Sequence, residues 1–270
     1  KPVAHPWTRT HGEARSLRRS PVGYGELAAT SNYSFLHGAS HPEELVERAA
    51  ELGHHSIAIT DECTLGGIVR AHVAAKERGI QLIIGASLRF ANPEAQGLRL
   101  LVYATDRAAY GRLCRLLTLG KRRAAKGECR LAVHDLAEHA DGLIGLAIPP
   151  DRIGTESVKM LEGLRVIFTG DRLSIGAQRA FGSRDCDQLR LIARLCGHIG
   201  VPMAAVNDVL YHRPERRPLQ DVLTCIRHKC TLDQAGLRLS QNAERHLKPP
   251  EEMARLFADY PVAIRRTAEI

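Results

Sequence analysis

At 270 residues and 44% hydrophobic content, the chain can bury one large core, and α/β barrels use this length as a single domain. No apolar run approaches the roughly 18 to 20 residues that span a bilayer, and the basic opening KPVAHPWTRTHGEARSLRRS lacks the apolar segment of a signal peptide, so a cytoplasmic protein without a membrane span is expected. The net charge of +8 fits a nucleic-acid partner, while the 4% aromatic content, none of it among the charge runs, speaks against stacking of single-stranded bases.

Residues 1–20 have no hydrophobic periodicity and read as a basic linker or tail. A strand ending near Leu27 leads into a loop, and SHPEELVERAAELG then opens a helix with Ser40 as N-cap, Glu43 three residues on, Pro42 in the first turn and Gly53 as its end. SIAIT (56–60) suits a strand buried on both faces, Leu65 to Arg78 has helical spacing with Gly79 as its stop, and QLIIGASLRF is a strand. RLLVYAT is the next strand, and Asp106 caps the helix that ends in KRR. LAVHDLAEHA reads as a helix, GLIGLAI as a strand, Ser157 to Leu164 as a helix, RLSIGAQ as a strand, SRDCDQLRLIARLCGHIG as a helix and VPMAAVND as a strand. Seven strands mostly separated by helices argue a parallel sheet, closed as a barrel or doubly wound, over residues 21–218. From Leu219 the strands stop, and LQDVLTCIRH, PPEEMARLFADY and PVAIRRTAEI make 219–270 a helical segment. A start without Met and an end without a capping residue point to a longer native chain.

Seven scattered cysteines with no CxxC pair indicate neither a disulfide framework nor a zinc ribbon, and reduced core thiols are expected. The run KRRAAK offers Lys121, Arg122, Arg123 and Lys126 as DNA-binding candidates, although a cationic helix end also complements the helix dipole.

In a βα barrel the reactive groups follow the carboxyl ends of strands. Asp61 and Glu62 after SIAIT, and Asp208 after AAVN, stand there. Carboxylates converging from separate strands can hold a divalent metal for phosphoester hydrolysis, or Asp61 and Asp208 can simply cap turns. His37, in FLHGAS, is the one histidine placed near such a mouth.

The run YGELAATSNYSFLHGASHPEELVERAAELGHHSIAITDECTLGGIVRAHVAAKERGIQLIIG resembles the PHP (polymerase and histidinol phosphatase) domain of bacterial C-family DNA polymerases, and most of all their error-prone branch, related to the replicative polymerase III alpha subunit. VPMAAVNDVLYHRPERRPLQDVLTCIRH and NAERHLKPPEEMARLFADYPVAIRRTAEI resemble the stretch that leads from that domain toward the polymerase core. The resemblance implies a distorted seven-stranded (β/α) barrel of PHP type followed by that helical connection. It also implies a mouth where histidines and acids bind up to three metals in active members. Carried over by position, the ligand places fall on Ala28, Thr30, Ser87, Arg99, Ala180 and Leu210, none with a metal-binding side chain of the family's kind, leaving Asp61, Glu62 and Asp208 as vestigial candidates. Arg99 could instead neutralise Asp61 or Asp208.

The function so implied is the PHP domain of an error-prone, translesion-type DNA polymerase, supporting the core without catalysis of its own. No cofactor is expected in this chain, with Mg serving a polymerase core outside it. Implied partners are DNA and that core, with accessory mutagenesis proteins and a sliding clamp as further candidates and no membrane. A phosphoesterase or 3′ exonuclease on Asp61, Glu62, Asp208 and His37 is the alternative from a different class, and a DNA-binding module is a third.

Overall fold

A computed structural model of the chain describes residues 19–91 and 97–270. The expected tail thus lies almost wholly outside the described residues. Seven strands form one curled sheet in chain order: β1 (Gly25–Ala29), β2 (Ser56–Ile59), β3 (Gln81–Leu88), β4 (Arg99–Ala104), β5 (Leu143–Ile148), β6 (Leu173–Ala177) and β7 (Met203–Ala205). Helices α1 (Pro42–Glu51), α2 (Ile68–Arg78), α3 (Arg107–Arg122), α4 (Val133–His139), α5 (Thr155–Ile167) and α6 (Asp185–Ile199) connect them.

The alternation along the strands sorts side chains into two layers, as a period of two requires. Leu100 and Val102 of β4 face outward into a cluster with Leu113 and Leu116 of α3, while Ile57 and Ile59 of β2 pack on Leu45 and Ala71 of α1 and α2. Ala58, Leu101, Tyr103, Leu146, Ala204 and Val206 face inward and fill the barrel with Leu27 and Ala28. Tyr103 buries its hydroxyl by donating to the Leu27 carbonyl at 2.8 Å.

The sheet is not uniformly parallel, which corrects the expectation from βα alternation. β4 runs antiparallel to both β3 and β5, and the remaining neighbours are parallel. Residues 89–98 join β3 to β4, and such a connection is shorter than the dozen or so residues a parallel crossover needs. The reversal puts Arg99, the first residue of β4, at the same end of the barrel as the carboxyl ends of the other strands.

The sheet edges meet at that end. The Thr30 amide donates to the Val209 carbonyl at 2.9 Å and the Val209 amide to the Ala28 carbonyl at 2.7 Å. Further in, the Glu26 carboxylate replaces a ladder: it accepts from the Asn207 amide at 3.2 Å, the Ala28 amide at 2.9 Å and the Tyr24 hydroxyl at 2.8 Å. Asn207 then ties in the later chain through Glu244 and the buried Lys248.

Past the barrel come α7 (Arg217–His228), α8 (Leu232–Ala235), α9 (Pro250–Leu256) and α10 (Pro261–Glu269). α10 returns to the opposite end of the barrel, where Thr267 accepts from the Gly25 amide at 3.1 Å and the buried Arg266 donates to Ser174 at 3.0 Å.

Two of the expected helix signals are in place. Asp106 accepts from the Ala109 amide at 2.7 Å, and Gly79 ends α2 with φ +66°. The start of α1 differs: His41 is the N-cap and Glu44 accepts its amide at 2.9 Å, while the Ser40 hydroxyl accepts from the His212 amide at 3.0 Å. Pro42 fixes the first turn and draws the cap to the residue immediately before it.

Candidate functional site at the barrel mouth

The mouth contains a cavity of about 480 Å³ lined by Thr30, His37, Glu62, Ser87, Arg99 and Asp208, and by residues from after β7 that include Arg227, Arg238 and Arg245. Each strand end supplies its inward residue. Ser87 is the penultimate residue of β3, Arg99 opens β4, Ile148 closes β5, and Asp208 follows β7.

Asp208 is the best-held acid of the site. Its backbone adopts φ +49°, a left-handed conformation that Asp tolerates better than most residues. Arg99 Nη2 lies 2.6 Å from Oδ1, and Arg245 grips Oδ2 with Nη2 while its Nε donates to the Asp208 carbonyl at 2.9 Å. Burial alone would raise this carboxyl, but Arg245 and Arg99 outweigh it and hold Asp208 below the usual carboxylate range. Of the two pairings open to Arg99, the structure takes Asp208.

Asp61 is also buried but turns away from the cavity. It accepts from the Ser31 amide at 2.8 Å, the Ser31 hydroxyl at 2.6 Å and the Ser34 hydroxyl at 2.8 Å, so it fixes the loop after β1. Burial outweighs these bonds and raises its pKa. Ser34 also accepts from the Glu62 amide at 2.8 Å, tying that loop to the one after β2. Glu62 itself reaches into the mouth and pairs with Arg89 Nε at 3.1 Å.

His37 meets Arg227 rather than an acid. Arg227 Nη1 donates to His37 Nδ1 at 2.7 Å and to the Leu36 carbonyl at 3.2 Å. Since guanidinium can only donate, Nδ1 is the acceptor and the ring is the neutral Nε2–H tautomer. Burial, then the Arg227 charge, lowers its pKa accordingly.

The remaining positions fall as follows. Thr30, Ser87 and Leu210 line the mouth, with the buried Ser87 hydroxyl lacking any hydrogen-bond partner. Ala28 lies deeper, in the apolar filling of the barrel. Ala180 is outside the lining, and the segment after β6 instead presents Gln178, two residues earlier. Among the described residues, no group of three or more His, Cys, Asp or Glu side chains is arranged to hold a metal ion. At the end of α3, Lys121, Arg122 and Lys126 are exposed, whereas Arg123 donates to the buried Asp135 at 2.7 Å.

Reading along the sequence missed Arg89, Arg227, Arg238 and Arg245, four of the five arginines in the lining. Arg245 lies in NAERHLKPP, 37 residues beyond Asp208, and nothing in its local spacing marks it as a partner of that acid.

Comparison with known proteins bears directly on this site. The PHP domain family profile matches residues 26–169. A Caulobacter vibrioides protein named error-prone DNA polymerase is 48% identical over 252 residues, covering 93% of this chain and 23% of that protein. A Brucella abortus protein of the same name is 49% identical over 253 residues, covering 92% and 23%. The chain thus spans about a quarter of the length of these relatives. Among solved structures, a Bifidobacterium adolescentis protein described as a metal-dependent phosphoesterase matches with a TM-score of 0.51 at 15% identity, over 70% of this chain and 88% of its own. A Chromobacterium violaceum amidohydrolase matches equally, at 16% identity. At that identity the two structures speak for the fold alone. With more than half of its length matched by the family profile, the chain belongs to the PHP domain family, in the form carried by proteins named error-prone DNA polymerase.

Proposed function

We propose that the chain is the PHP domain of an error-prone, translesion-type DNA polymerase acting in DNA damage tolerance, and that it is a structural support without catalysis of its own. The observation that carries this reading is Asp208 bracketed by Arg99 and Arg245. Two guanidinium charges occupy the place where a cation would sit, and neither can be displaced by deprotonation. Asp61 is committed to Ser31 and Ser34, and Glu62 to Arg89. A multinuclear centre needs several converging, mutually supported ligands, and this set does not fit one.

On this reading the polymerase core and its Mg lie outside this chain, and the core, DNA, accessory mutagenesis proteins and a sliding clamp are partners of the whole protein in the cytoplasm. The relatives' names and the fraction of their length that the chain spans support this placement.

The test is a strand-degradation assay on the full-length polymerase with Mg or Mn. The reading predicts primer extension and no 3′ exonuclease activity attributable to the mouth. A Mn-dependent exonuclease abolished by Glu62→Gln or Asp208→Asn would overturn it and establish the metal-dependent alternative.

A further inference from the structure

We infer that Cys225 and Cys230 form an oxidation site, at which a hydroperoxide converts the two thiols into a reversible intrachain disulfide. The pairing begins with the way α7 ends. Lys229 leaves the helix in the left-handed region at φ +52°, its amide donates to the Ile226 carbonyl at 3.2 Å, and the Cys230 amide donates to the Cys225 carbonyl at 3.1 Å. These two bonds are the Schellman closure of a helix, which brings its outer pair of side chains together, here Cys225 and Cys230. The left-handed position in that closure usually belongs to glycine, and Lys229 holds it against the crowding of its own Cβ. The Cys225 thiol accordingly lies in hydrogen-bond contact with Cys230. Both are free thiols, and a disulfide requires this kind of close approach from its two side chains.

The pair is also reachable. Both cysteines line an open cavity of about 440 Å³ whose walls include Val222, Ile226, Lys229 and Leu232. Cys225 is buried and Cys230 half-buried, so a small oxidant entering the cavity meets Cys230 first. Burial, together with the neighbouring Cys230 sulfur, raises the Cys225 pKa and keeps that thiol protonated. The Cys230 thiolate attacks one oxygen of hydrogen peroxide and the O–O bond breaks. The departing hydroxide takes the proton that Cys230 gave up and becomes water, leaving Cys230 as a sulfenic acid. The Cys225 sulfur then attacks the Cys230 sulfur, the S–O bond breaks, and hydroxide leaves with the Cys225 proton as a second water. Two electrons have passed from the thiols to the peroxide, giving one disulfide and two waters. The bridge spans Arg227, which donates to His37 Nδ1 at 2.7 Å and to the Leu36 carbonyl at 3.2 Å, so oxidation pins the turn that follows this arginine of the barrel mouth.

The test is peptide mapping of the full-length protein, kept in chelator, after brief exposure to hydrogen peroxide and alkylation of the remaining thiols under denaturing conditions. Trypsin cleaves after Arg227 and Lys229, so a bridged pair appears as one linked peptide that dithiothreitol separates. This peptide is expected to form about tenfold or more faster than any other cysteine of the chain reacts. Cys225→Ser should leave Cys230 as a sulfenic acid that dimedone traps, and Cys230→Ser should leave Cys225 unreacted over the same time. Cys225 and Cys230 both remaining open to alkylation would overturn the assignment. So would a bridge forming first between Cys63 and Cys129, the other thiols in contact, or passage of Cys230 to the sulfinic acid without a linked peptide. The wild-type map decides these outcomes by itself should either serine variant fail to fold.

Discussion

Replacing Asp208 by Asn isolates what its charge contributes. Asn keeps the side-chain shape and tolerates the left-handed backbone at φ +49°, so the change removes the counter-charge of Arg99 and Arg245 and little else. Their side chains are 17% and 28% exposed. Breaking a buried pair by removing one partner costs about 3 to 5 kcal/mol, and partial exposure of the arginines places this case near the lower figure, about 3 kcal/mol. In a domain of this size each kcal/mol moves Tm by roughly 2 to 4 °C, so a fall of roughly 6 to 12 °C is expected. Circular dichroism melts of the two proteins measure it. Adding Arg99→Met to Asp208→Asn should recover part of the loss, because one of the uncompensated charges is then gone. A fall below about 2 °C would refute the reasoning, since it would mean that water already neutralises the two guanidinia.

Burial raises the Glu26 pKa to about 7 against the lowering effect of its hydrogen bonds, so its stabilising contribution is fully present below an unfolded value of about 4.5 and is lost as pH rises through about 7. That loss amounts to about 3 kcal/mol at most, and Glu26→Gln should flatten the pH dependence of urea midpoints across this window. Asp61→Ala removes the acceptor of three donors from Ser31 and Ser34, at a cost of about 3 kcal/mol, with amides of residues 31–38 losing protection in hydrogen exchange before the rest of the barrel. At the end of α3, Ala substitutions of Lys121, Arg122 and Lys126 should leave stability within about 0.5 kcal/mol. Arg123→Ala, by contrast, should cost about 1 to 3 kcal/mol in chemical denaturation, because the buried Asp135 loses its guanidinium and keeps only the Ala132 amide and the exposed His134.

The chain displays its layers in its own pattern. Strand runs such as SIAI and LIGLAI, the Asp106 cap and the Gly79 stop are local features, and local chemistry determines them. The direction of β4 is not written in its composition. It follows from the short connection before it, which gains meaning only once β3 and β4 are known to be neighbours. The same holds for the site. Arg99 could be placed at the mouth by resemblance, yet its choice of Asp208 over Asp61 depends on Ser31 and Ser34 having already taken Asp61. The Arg245 contact comes from a return of the chain across the mouth after β7, a tertiary event with no periodic signature. Gln178 lines the mouth in place of Ala180, and both lie in the irregular segment after β6, where no strand period fixes which side chain turns inward.

The central claim is that arginines, not metal ions, neutralise the acids of the mouth. Its most direct test is the metal content, by mass spectrometry, of untagged protein purified without chelator. The account predicts less than about a tenth of an equivalent of zinc, manganese or iron, because a site without ligands cannot retain a metal through purification. One equivalent or more, lost together with folded-state stability on chelation, would contradict it.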